Sequence, residues 1–195
     1  MREKQIIVCD IDDVLSKFNE SWIELYNKKA NDDLCIEQIT EWKIINFVKE
    51  EWKSKIFTDE IIYSPNFYFN VPLKEYAKEF VEWTDQYFDL LLVSAPLFEN
   101  KFNNTTLSDK AEWIKVNFPN YDIRKFIPCY FKSYLKSYIR MDDRPKNFVG
   151  EAEHKILLDR PWNHDDCEEN EYIKNFGLIR KNNLLEVKDY LQNLL

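Results

Sequence analysis

Glycine is nearly absent: the 195-residue chain holds only Gly150 and Gly177. Walker loops, dinucleotide fingerprints and kinase glycine loops each need at least two glycines within a few residues. All three are therefore excluded, as is the G-x-S-x-G elbow of esterases. Any handling of phosphate must proceed without a glycine-rich cradle. Positive charge is also short, with 27 Lys and Arg against 35 Asp and Glu, a formal charge of −8. That balance disfavours a nucleic-acid polymer as partner, because such binding rests on clustered cations that displace counterions. A small anionic substrate requires positive charge supplied locally, for instance by a metal ion. No apolar run approaches the roughly 20 residues of a membrane span, and the start, Met1–Gln5, is charged. The expectation is a cytoplasmic chain with no membrane partner. Cys9, Cys35, Cys129 and Cys167 are scattered without a C-x-x-C pair, which favours reduced thiols over disulfides. The sequons at Asn19, Asn103 and Asn104 lack a secretory signal and read as chance.

What is present suits a folded α/β domain. Hydrophobic residues make up 45% and aromatics 16%, ample for a core. Short apolar runs at Gln5–Cys9, Phe88–Val93, Lys125–Cys129, Tyr138–Met141 and Lys155–Leu158 read as strands of a parallel sheet covered on both faces. Helical patterns lie between or after them at Leu73–Tyr87, Ser108–Phe118 and Asn182–Leu195. Alternation of this kind implies a Rossmann-like, five-stranded parallel sheet flanked by helices. The interval from Leu15 to Phe88 is far longer than a crossover needs, and a structureless loop of that size is improbable. Helices at Lys17–Lys29 and Asn46–Lys55 are expected in it, forming a helical cap inserted after the first strand. The division is residues 1–14 and 73–195 for the core and 15–72 for the cap.

The first strand ends in Asp10, Asp12 and Asp13. Ligands of open α/β sheets bind beyond the carboxyl ends of the strands. Three acids in four positions repel unless a cation is present, and oxygen-only ligation suits Mg²⁺. The plainer alternative is that Asp10 or Asp12 caps a turn or helix. Other strand ends add to the case. Phe88–Val93 runs into Ser94-Ala95-Pro96, and Tyr138–Met141 runs into Asp142-Asp143-Arg144-Pro145. Lys110 falls in the first turn of the helix after Ser94, with Trp113 behind it. Each has a bland reading as loop serine, turn acid pair or solvated lysine; together, in this order, they point to one site.

In that order, D-x-D-x-V, a strand ending in Ser, a Lys and then D-D, the sequence resembles the haloacid dehalogenase superfamily of phosphotransferases. Its finer spelling resembles the 5′(3′)-deoxyribonucleotidase branch: Asp10-Ile-Asp-Asp-Val-Leu-Ser-Lys-Phe18, Val93-Ser-Ala-Pro96, Asp109-Lys-Ala-Glu-Trp113, Met141-Asp-Asp-Arg-Pro145 and Leu158-Asp-Arg-Pro-Trp-Asn163. Asp13 departs from it, standing where many members carry glycine.

The resemblance implies a Mg²⁺-dependent phosphatase acting on small phosphorylated substrates, nucleoside monophosphates first. Asp10 is then the nucleophile that forms an aspartyl-phosphate, and Asp12 the general acid and base. Mg²⁺ is expected on Asp10, the carbonyl of Asp12 and Asp143, with Asp142 orienting its neighbours. At ~4 Å and an effective dielectric near 20, like unit charges repel by about 4 kcal/mol, which would slow attack about a thousandfold without a cation. Lys110 and Ser94 are expected on the phosphate, helped by backbone amides near Ile11–Asp12 and at Ala95. Phe18 and Trp22, one helical turn apart, are candidates to contact the base, although Trp22, Tyr26, Phe47 and Trp52 also suit a cap core. Arg144 suits either substrate or a salt bridge.

His164-Asp165-Asp166-Cys167 reads as a solvated loop rather than a metal cluster, and Asp159–Asn163 as a structural rim of the site. A phosphatase for another phosphomonoester, a phosphoacceptor signalling module and a non-hydrolytic nucleotide-binding protein are the alternatives. The oligomeric state is open, a homodimer included.

Overall fold

Runs rich in Ile, Leu and Val lie side by side because a strand buried on both faces needs apolar residues at every position. The computed structural model describes residues 3–96, 105–164, 167 and 169–195. Strands β1 (Ile6–Asp10), β2 (Asp89–Ser94), β3 (Phe126–Pro128), β4 (Ser137–Asp142) and β5 (Ala152–Leu158) fall on the expected segments. A further strand, β6 (Ile179–Lys181), extends the sheet to six in the order β3-β2-β1-β4-β5-β6, all neighbours parallel. The expected count of five is thus corrected. β6 escapes a hydrophobicity pattern because it is three residues long, two of them charged.

From β1 the chain runs outward through β2 to β3, then crosses back to β4 on the other side of β1. Such a switch point opens a crevice at the carboxyl ends of the central strands. The register keeps those ends level, with Asp10 opposite Val93 and Cys9 opposite Met141. Helices α2 (Ala77–Tyr87), α3 (Thr106–Asn117) and α5 (Leu184–Gln192) bury Phe80, Val81, Ile114, Val187 and Leu191 with the strand residues in one apolar core. A short helix, α4 (Asn170–Asn175), precedes β6.

Between β1 and α2 the chain builds a second apolar cluster, with Trp22, Tyr26, Ile39, Ile56, Ile61 and Ile62 among its buried members. It opens with α1 (Phe18–Ala30), stopped by Asn31 in the left-handed conformation that asparagine tolerates. The chain enters and leaves this insertion at one point: Ser16 bridges Leu73, the Lys17 N–H donates to Pro72 O, and the Lys74 N–H donates to Leu15 O. Two expected helices are altered. Asn46–Lys55 becomes separate 3-10 turns at Ile44–Phe47 and Glu50–Trp52. The N–H of Lys49 donates to the Tyr26 hydroxyl (2.9 Å), and Val48 is extended, so no continuous helix can pass. The helix expected from Leu73 starts only at Ala77, because Leu73 pairs with Ser16 and Tyr76 takes a positive φ of 63°.

Candidate active site

Asp10 is the last residue of β1, Ser94 of β2 and Asp142 of β4. Level strand ends bring them together, and Asp143 follows. All four are buried, as is Lys110 from the first half of α3. Carboxylate oxygens of Asp10, Asp142 and Asp143 lie within 4.8 Å of one another.

Two lysines organise the acids. Lys110 Nζ donates to Asp12 Oδ2 (2.6 Å) and Ser94 Oγ (2.7 Å), while the ring of Tyr68 from the insertion covers it at 4.5 Å. Lys132 Nζ stands 2.8 Å from Asp10 Oδ1 and 2.6 Å from Asp142 Oδ2. No sequence expectation named Lys132, which sits in the aromatic run Tyr130–Tyr134 between β3 and β4. A lysine set among aromatics just before an acid-ended strand is its only trace in the sequence, too weak to identify it. Gly150 supports its turn: a Cβ there would meet Ser133 O at 2.7 Å. The guanidinium of Arg140, buried in β4, holds the surrounding chain through the carbonyls of Leu135, Asn147 and Val149.

The acids outnumber their cations, and their proton affinities register it. Burial, then the neighbouring Asp142 and Asp12, push Asp10 up to about 7 against the pull of Lys132. Burial, then Asp142, Asp13 and Asp10, push Asp143 well above the carboxylate range. Asp142 is satisfied: Oδ1 accepts from the Arg144 N–H (3.0 Å) and Asn147 Nδ2 (2.9 Å), Oδ2 from Lys132. Asp143 Oδ2 accepts from Trp162 Nε1 (2.8 Å), but its buried Oδ1 meets no donor among the described residues. A buried carboxylate oxygen left bare costs free energy unless a cation or donor reaches it. Hard oxygen donors with one bare oxygen fit a divalent cation of the Mg²⁺ type.

Asp13 takes φ 56°, the left-handed region that glycine favours and that Asp, among other residues, tolerates. Its Oδ1 accepts from the Asn19 N–H (3.0 Å), and Lys74 lies 4.0 Å away. Burial chiefly pushes its carboxyl up to about 8. The aspartate therefore keeps the glycine-type turn and serves the first turn of α1, where Lys17 makes no side-chain cap.

The other expected residues divide. Phe18 opens α1, stacks on Tyr68 (centroids 5.5 Å, 24° between planes) and so stands over the Lys110 side of the site. Ala95 is half-buried beside Ser94. Trp22 is corrected: it is fully buried in the insertion core, its Nε1 donating to Asn19 Oδ1, so it presents no surface to a base. Arg144 takes the salt bridge, to Glu169 (2.7 Å), with its guanidinium 4.3 Å from the Trp42 ring centroid. His154 Nδ1 pairs with the Tyr190 hydroxyl, and exposed His164 lies 3.3 Å from Asp159. Asp165, Asp166, Asn103 and Asn104 lie outside the described residues. Cys9, Cys35 and Cys129 are free thiols.

The chain is similar to known proteins in sequence and in fold. Residues 4–180 match the family described as 5′ nucleotidase, deoxy (pyrimidine), cytosolic type C. A 5′(3′)-deoxyribonucleotidase of Clostridium acetobutylicum is 29% identical over 189 residues, covering 96% of this chain and 99% of that one. Among solved structures, a haloacid dehalogenase-like hydrolase of Streptococcus pneumoniae superposes with a TM-score of 0.60 at 14% identity, over 98% of this chain and 100% of that one. A haloacid dehalogenase hydrolase of Bacillus subtilis, solved bound to magnesium, gives 0.50 at 13% identity, over 98% and 100%.

Proposed function

We propose, for a chain that belongs to the 5′ nucleotidase, deoxy (pyrimidine), cytosolic type C family, that it dephosphorylates (deoxy)nucleoside 5′- and 3′-monophosphates with Mg²⁺ through an aspartyl-phosphate at Asp10. The chain is a phosphoric monoester hydrolase of the haloacid dehalogenase superfamily, with a small nucleotide as substrate. What carries the finer reading is the separation of the two β1-end acids: Asp10 is buried against Lys132, while Asp12 is held apart by Lys110 and Ser94. In this reading one carboxylate attacks and the other moves a proton.

A carboxylate oxygen of Asp10 attacks phosphorus and the ester P–O bond breaks. Asp12 delivers a proton to the departing sugar oxygen. It then takes a proton from the water that cleaves the aspartyl-phosphate, which frees Asp10 and inorganic phosphate. Lys110 and Ser94 neutralise and orient the phosphate oxygens, and Lys132 keeps the Asp10 side of the site from becoming purely anionic. Asp10, the Asp12 carbonyl and Asp143 would hold Mg²⁺, with Asp142 orienting its neighbours, and the ion would supply the charge that lets two anions meet.

Residues 15–72 act as the specificity cap in this reading. Phe18 offers an aromatic face at its edge, and stacking a base there is worth roughly 1–3 kcal/mol with tolerance for different bases. No helix among the described residues is long and apolar enough to cross a membrane; the free thiols of Cys9, Cys35 and Cys129 are in keeping with a cytoplasmic enzyme.

The test is phosphate release from nucleoside and deoxynucleoside 5′- and 3′-monophosphates and from sugar phosphates, each with Mg²⁺ and with EDTA. Deoxynucleotides should exceed sugar phosphates, and EDTA should abolish release. Sugar phosphates turned over faster than every nucleotide would remove the nucleotidase reading.

A further inference from the structure

The segment that closes β5, Asp159–Asn163, reaches back to both acidic loops. Arg160 Nε donates to the Asp13 carbonyl (2.9 Å). Asn163 Nδ2 donates to the carbonyls of Asp143 (2.7 Å) and Leu158 (2.7 Å). Arg180 from β6 braces the segment through Asn163 Oδ1 (2.6 Å), Asn163 O (2.8 Å) and Asp159 Oδ1 (2.7 Å). Within this bracket Trp162 stands apart. Its Nε1 donates to Asp143 Oδ2 (2.8 Å), yet its ring is buried in the apolar cluster of the insertion. Among the described residues, the other buried members of that cluster all fall between Trp22 and Val71.

We propose that Trp162 is the positioning residue for Asp143: its indole N–H takes up Oδ2, fixes the carboxylate rotamer and leaves the bare Oδ1 for the cation, while its ring ties that orientation to the seating of the insertion. The inference rests on the cation-dependent reading above. A carboxylate 1% exposed has few partners to choose from, so one donor decides which oxygen remains free. Groups that orient a metal ligand in this way change metal affinity by about 10–100-fold when removed. A tryptophan buried only for packing would also need a partner for its N–H, but its loss would then alter stability and leave cation binding unchanged.

The two roles separate in Trp162→Phe, which keeps an aromatic ring and removes the donor. Mn²⁺ titrated calorimetrically into the metal-free full-length chain should bind this variant about 10–100-fold more weakly than wild type. Thermal stability in EDTA should fall only by what one lost buried hydrogen bond costs, and raised Mg²⁺ should restore phosphate release. Wild-type Mn²⁺ affinity in Trp162→Phe overturns the role of Trp162 alone. A wild-type chain that binds no Mn²⁺ overturns this proposal and the cation-dependent reading together. Should the variant fail to fold, ¹⁵N spectra of the wild type decide: an indole N–H resonance must shift on adding Mg²⁺, and six unmoved tryptophan resonances overturn the proposal.

Discussion

Lys132 holds its ammonium 2.8 Å from the carboxylate of Asp10, and the same ammonium is 2.6 Å from Asp142. Burial works against that cation, but the two carboxylates win and raise its proton affinity above that of an ordinary lysine. Removing it strands acids in a low-dielectric site, and breaking a buried pair costs about 3–5 kcal/mol. Lys132→Met should lower kcat about 10²–10³-fold, the scale of losing one preorganised charge donor. Its melting temperature should fall more in EDTA than in Mg²⁺, because a bound cation offsets the same excess of negative charge. Steady-state phosphate release and calorimetric melting check both parts.

Asp10 and Asp12 should fail differently. Asp10→Asn removes the attacking oxygen and should abolish turnover with the fold intact by circular dichroism. Asp12→Asn keeps an oxygen acceptor for Lys110, 2.6 Å away in the wild type, and loses only proton transfer, a reduction of about 10²–10⁴-fold. Near-normal hydrolysis by Asp10→Asn with metal present would remove it as the nucleophile.

The strand ends were legible because they combine two strong signals, a short apolar run and the polar residue that stops it. Asp10, Ser94 and Asp142 lie at carboxyl ends expected from hydrophobicity alone. Lys132 was not legible, since it belongs to no periodic element and meets its partners through the turn that Gly150 permits. Gly150, one of only two glycines, supports the turn of the lysine that pairs with Asp10 and Asp142. Trp22 was ambiguous because helical spacing places it near Phe18 without saying which way the insertion packs. Asp159–Asn163 looked like a rim because the partner of Trp162, Asp143, comes from a different strand end. Side chains that link separate strand ends leave no spacing to read.

Asp13 makes a prediction about backbone and cap together. Asp13→Ala should destabilise by about 1–3 kcal/mol, losing both the acceptor for the Asn19 N–H and a residue at ease with positive φ. Asp13→Asn keeps a side-chain oxygen and tolerance of the left-handed region, so it should stay close to wild type at neutral pH. Chemical denaturation of the two variants checks the order. An Asp13→Ala protein as stable as Asp13→Asn would mean that the contact to Asn19 contributes nothing.

The dependence of stability on pH should differ between the metal-free and the metal-bound chain. Asp10 rises from an ordinary 3.8 to about 7 and Asp13 to about 8, and Asp143 is also raised, in each case chiefly by burial. Below the ordinary value, folded and unfolded chains both hold these protons, so they contribute no slope. Between 3.8 and about 7 to 8 the unfolded chain releases protons that the folded one retains, and stability must fall as pH rises. Lys132 is charged in both states across this window. Asp32 and Asp122 titrate below 3.8 when folded, so their contributions are already complete above pH ~5. Melting temperature in EDTA should therefore decline from about pH 5 to pH 8. Mg²⁺ binds the ionised carboxylates, so its stabilisation should grow over the same range and reduce or reverse the decline. Binding near pH 6 should release protons, visible as a buffer-dependent heat in calorimetry. A metal-free melting temperature that climbs steadily from pH 5 to 8 would mean that the buried acids are ionised in the folded chain without a cation.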